Sequence, residues 1–161
     1  MDFLAWLQST AFATAVAETI WAYPLLETLH ALGMAMLLGS LGLTNLRVLG
    51  YKPELPLLGM QELLPLAWIG FTINAASGLS LFASDAIYFW SSYTFRIKLV
   101  LIALGGLDAA FVTRKIFPDS RAESSGEFAV EADAPTKALA AASLAFWIGA
   151  VIAGRLIAYT P

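Results

Sequence analysis

The stretch from Tyr23 to Leu49 constrains this chain more than any other. It is an apolar run of membrane length that nevertheless carries Glu27, the chain's one histidine (His30), Asn45 and Arg47. At a helical rise of about 1.5 Å per residue it covers roughly 40 Å, against about 30 Å for the hydrocarbon core of a bilayer. Ionisable groups inside such a span cost a few kcal/mol each, so they face a bundle interior and mark a site. Glu27, His30, Met34, Leu41 and Asn45 follow spacings of three, four and seven, which places them on one helical face turned toward partner helices.

The remainder of the chain repeats the theme. With 59% hydrophobic and 13% charged residues over 161 positions, it departs far from a soluble domain. There is no cysteine, which excludes disulfides, thiolate metal sites and cysteine nucleophiles. A net charge of -3 without a basic cluster argues against nucleic acid as a partner. No phosphate loop, nucleophile elbow or metalloprotease motif is present.

The expected fold is all-α: one integral membrane domain over 1–161, a four-helix transmembrane bundle with a short N-terminal interfacial helix. Residues 1–19 form the interfacial segment, with Trp6 at headgroup level. Ala15-Val16-Ala17 resembles a cleavage site, but no basic residue precedes it as in a secretory signal. Spans are expected at about 22–49, 63–84, 94–117 and 137–159. Gly70, Asn74 and Gly78 recur every four residues in the second span and make a narrow face for a neighbouring backbone or a flat ligand. Ala145, Gly149 and Ala153 do the same in the fourth. Residues 85–93 read as an aromatic interfacial turn with Tyr88, Trp90 and Tyr93 as anchors. Residues 118–136, acidic and small, read as a mobile cytoplasmic loop.

Four spans put both termini on one side. Arg47, Lys52, Arg114, Lys115, Arg121 and Lys137 gather on the other, against Arg96, Lys98 and Arg155, so the loops belong in the cytoplasm and the termini outside a bacterial inner membrane. The first and third spans then run in the same direction. His30 lies about 9 Å below the start of the first and Lys98 about 6 Å below the start of the third. Two nitrogen donors at nearly one level, with Gly105 deeper, can hold a haem edge-on. Met34 is a second candidate axial ligand, Glu27 a supporting group, and Arg96 and Arg155 the cations for haem propionates. The plainer alternatives are a Glu27–Lys98 ion pair, a snorkelling Arg96 and a merely hydrogen-bonded His30. Asn45, Arg47, Asn74 and Asp108 make a deeper polar set, read as structural through an Asp108–Arg47 pair, with a proton path as the sharper alternative.

Leu29-His30-Ala31-Leu32-Gly33, followed by Leu38-Gly39 and Arg47, together with Tyr93-Thr94-Phe95-Arg96-Ile97-Lys98-Leu99, resembles a group of small bacterial membrane proteins. That group includes the copper-resistance D family, the membrane-type protoporphyrinogen oxidases and several uncharacterised four-helix families. The resemblance implies correspondence of His30, Arg47 and Lys98, with the histidine and lysine associated with haem b. One histidine, scattered methionines and no cysteine make a poor copper site. The expected function is therefore b-type haem binding between the first and third helices, for electron transfer with a quinone or redox partner or for porphyrinogen oxidation. The alternatives are a non-catalytic membrane subunit or scaffold, and a small ion or solute carrier using Asp108. Small-residue faces also suggest a homo-oligomer in the lipid bilayer.

Overall fold

The computed structural model describes residues 2–55, 57–117 and 132–160. Among these every regular element is a helix. Two short helices come first, α1 (Asp2–Gln8) and α2 (Ala11–Glu18). The N-terminal segment breaks in two because the Thr10 hydroxyl caps the second helix by accepting from Ala13 N at 3.2 Å, satisfying one of its unpaired amides. Then follow α3 (Ala22–Val48), α4 (Leu64–Ser84), α5 (Ala86–Ser91), α6 (Tyr93–Ile116) and α7 (Ala134–Leu156).

Three helical stretches are long and apolar enough to cross a membrane: Ala22–Val48, Gly59–Ser84 and Ala134–Tyr159. Helix α6 is of similar length, but Asp108 and the basic residues near its two ends leave no comparably apolar stretch. The distribution of side chains is inverted relative to a water-soluble domain. Leu32, Leu43, Ile69, Leu79, Val100, Leu107, Phe111 and Ile152 point outward, whereas Ser40, Thr44, Asn45, Ser77, Asp108 and Ser143 are buried. The first set makes an apolar outer surface suited to lipid, and helix contacts absorb the second.

Helices α3 and α4 pack closely because two glycines meet. A Cβ on Gly33 would stand 2.7 Å from Asn74 N and 2.8 Å from Gly70 O, and one on Gly70 would stand 2.7 Å from Gly33 O. The four-residue repeat of the second span thus serves backbone approach between helices. Helix α7 runs antiparallel to α6, with Gly154 against Lys98, Gly149 against Leu101 and Gly105 against Trp147. Its buried face is Thr136, Ala140, Ser143, Trp147, Ala150 and Ala153. The expected small-residue stripe is therefore rotated, since Ala145 is exposed while Trp147 fills the space above Gly105. Leu37, Ala67 and Trp147 form the core, joined by Leu38, Leu41 and Ile102.

The connections are tied by side chains. Arg47 donates to Leu55 O at 2.6 Å and Pro53 O at 2.8 Å, closing the turn in which Gly50 adopts φ +98°. The expected aromatic turn is the short helix α5, and the Ser92 hydroxyl then caps α6. Residues 118–131 of the expected mobile loop lie outside the described residues. Residues 134–136 belong to helix α7, because Asp133 caps it by accepting from Thr136 N at 3.1 Å and Pro135 suits a first turn.

Candidate functional site

A cavity of about 380 Å3 lies where the start of α3, the end of α4, helix α5, the start of α6 and the end of α7 converge. That volume falls within the roughly 300–1,000 Å3 usual for ligand sites. Its polar lining is Tyr23, Glu27, His30, Tyr88, Lys98 and Arg155, and its apolar lining includes Leu81, Phe82, Phe89 and Phe95. Phe82 and Phe95 stack with ring centres 5.3 Å apart, which stiffens one wall. Helices from both ends of the sequence are needed to build it.

His30 is held firmly. Its Nδ1 lies 3.0 Å from Asn74 O and 3.2 Å from Ser77 Oγ. A carbonyl oxygen can only accept, so Nδ1 carries the hydrogen. The Ser77 hydroxyl gives its own proton to Ile73 O at 2.6 Å and can accept a share of the same N–H. In the neutral ring Nε2 therefore keeps its lone pair. Gly78 makes room for the imidazole, since a Cβ there would meet His30 Cε1 at 2.9 Å. Asn74 also binds in the opposite sense, its Nδ2 donating to His30 O at 2.8 Å.

Lys98 reaches the cavity from α6 along Gly154, where a Cβ would lie 3.3 Å from its Nζ. It makes no hydrogen bond or ion pair among the described residues. The Glu27–Lys98 ion pair is accordingly not formed, and Glu27 stands exposed at the rim. Arg155 lines the same cavity, whereas Arg96 does not: it lies over the Tyr93 ring at 4.3 Å and donates to Ser91 O at 3.4 Å. Met34 lines a smaller cavity of about 20 Å3 beside the first, shared with His30, Lys98, Asn74 and Trp147.

The deeper polar set is dispersed. Asn74 belongs to His30, and Asn45 is buried in α3. The expected Asp108–Arg47 pair is replaced by Arg47 bonding to the carbonyls of Pro53 and Leu55. Asp108 is buried instead against α7, near Ser143. Ser77, Tyr23, Tyr88 and Gly154 were not among the expected site residues. Ser77 was findable, lying three residues after Asn74 on the same helical face.

Among the described residues no three histidine, aspartate or glutamate side chains converge on a metal site. The donor set suits a group that brings its own equatorial ligands. A histidine whose Nδ1–H is spent on a backbone carbonyl, with Nε2 unprotonated, is the usual state of a haem or metal ligand. Lys98 Nζ and the Arg155 guanidinium line the same cavity. Compared with protein-family models, curated proteins and solved structures, the chain matches none.

Proposed function

We propose that this chain is a membrane b-type haem-binding protein, related to the small bacterial group it resembles, used for electron transfer or porphyrinogen oxidation. The observation that carries the reading is the orientation of His30. Asn74 O fixes the Nδ1–H form, and the ring lines a cavity of ligand size. A bound haem would supply one-electron chemistry.

The chain's own residues do the rest. His30, through Nε2, and Lys98, through its Nζ as the neutral amine, would hold the haem iron between α3 and α6. Arg155 places a cation at the rim for a propionate. The Phe82, Phe89 and Phe95 wall excludes water from the face it covers. Helix α6 crosses the membrane with α3, α4 and α7 to complete a four-helix bundle, its charged ends at the two surfaces. The protein sits in the bacterial inner membrane with both termini outside, so that the cavity opens near the outer face, within reach of a quinone or a periplasmic redox partner.

The test is the haem content of protein purified from haem-supplemented cells. Wild type and Met34→Leu retain close to one haem per chain, and His30→Ala retains essentially none. Equal retention in wild type and His30→Ala contradicts the assignment.

A further inference from the structure

Among the described residues, three buried polar atoms along the α6–α7 seam have no well-formed hydrogen bond: Asp108 Oδ2, Ser143 Oγ, which lies beside the Asp108 carboxyl, and Trp147 Nε1. Their residues are 7%, 0% and 7% exposed. They are also level with one another. Trp147 Nε1 lies 3.2 Å from where a Cβ on Gly105 would stand, Asp108 is the next residue down that face of α6, and Ser143 is one turn from Trp147 on α7. Buried polar atoms are almost always satisfied, and an orphaned group of them marks a bound water or ion.

The chemistry of the three selects the occupant. An indole N–H only donates and a hydroxyl does both, so a metal cation would meet a hydrogen aimed at it. A water molecule meets a donor, an acceptor and a group that can be either, within the two to four partners such a water needs. Among the described residues no lysine or arginine forms an ion pair with Asp108. On α6 the nearest are Arg114, about 9 Å along the axis, and Lys98, about 15 Å away. On α7 Lys137 lies about 9 Å beyond Ser143. On α3 Arg47 is bound to Pro53 and Leu55, and α4 carries no charged residue.

We propose that Asp108, Ser143 and Trp147 form a proton-holding site, in which a protonated Asp108 carboxyl binds one internal water and exchanges its hydrogen through it. Trp147 also lines the small cavity shared with His30 and Lys98. The site stands independently of haem, since none of its three residues ligates in that reading.

The test is infrared difference spectroscopy of the detergent-purified full chain at neutral pH, in H2O and D2O, with aspartate isotopically labelled. The expected result is a protonated-carboxyl C=O band that carries the label shift, moves down in D2O, and disappears in Asp108→Asn. Ser143→Ala and Trp147→Phe shift that band without removing it, a readout that does not require the Asp108 variant to fold. Absence of a labelled protonated-carboxyl band in wild type overturns the proposal. So does a band that is unchanged in D2O, or one indifferent to both Ser143→Ala and Trp147→Phe.

Discussion

His30 and Asn74 grip each other in both directions: the asparagine amide donates to the His30 carbonyl at 2.8 Å, and the imidazole Nδ1 donates to the Asn74 carbonyl at 3.0 Å. Only one of these bonds depends on the asparagine side chain. Asn74→Ala should therefore cost about 0.6 kcal/mol, the average for hydrogen bonds between membrane helices, and no more than about 2 kcal/mol, while the imidazole keeps the Nδ1–H form. Thermal unfolding in detergent reads the first quantity and 15N NMR of the histidine ring the second. A haem-free ring protonated on Nε2 instead would show that Asn74 O does not set the tautomer.

The α3–α4 seam has no room for a methyl group at its crossing. Gly33→Ala and Gly70→Ala each drive a Cβ to 2.7 Å from backbone atoms of the other helix, and overpacking of this kind costs about 1–3 kcal/mol. Gly39, with open space around it in mid-helix, is the control: Gly39→Ala should not destabilise, and helix propensity favours it by up to about 1 kcal/mol. Equal effects at Gly33 and Gly39 in the same unfolding assay would mean that the helices do not cross here.

Arg47 and Asp108 belong to separate structures, one closing the turn after α3 and the other buried between α6 and α7. A double-mutant cycle of Arg47→Ala and Asp108→Asn should show coupling below about 0.5 kcal/mol, the additivity expected of independent sites. Coupling well above that would restore the ion pair expected from sequence.

Asp133 is the acid whose titration the fold displaces most clearly outside the membrane spans. Hydrogen bonding from the Thr136 hydroxyl, followed by the Lys115 ammonium at 3.0 Å, lowers it from 3.8 to about 2. Because the folded value lies below the unfolded one, its stabilisation of the α7 start is complete above about pH 4 and is lost as pH falls through about 2. Amide exchange at Thr136 should accelerate over that interval relative to Asp133→Asn. An ordinary carboxyl titration near 3.8, with no change at Thr136, would contradict the cap.

The long helices were legible because apolar length and spacing along one face are local properties of the chain. The glycine repeat at 70 and 78 was legible for the same reason, and it proved to accommodate α3. The Arg47 partners were not, because they are backbone carbonyls, to which sequence assigns no identity. The α7 start was placed late because Asp133 and Thr136 read as loop composition, whereas their spacing is that of an N-cap. The convergence of His30 with Lys98 could be anticipated from depth along parallel helices. That Ser77 and Gly78 of α4 would seat the imidazole depended on a helix crossing that only the packed structure specifies.

The central claim is that the His30 cavity holds a haem, and the visible absorption spectrum of the detergent-purified protein, oxidised and then dithionite-reduced, tests it most directly. The account predicts a Soret band that sharpens on reduction, is absent in His30→Ala, and is altered in position or spin state in Lys98→Ala. A colourless protein after expression with haem supplied, or a spectrum identical in wild type and His30→Ala, would contradict it.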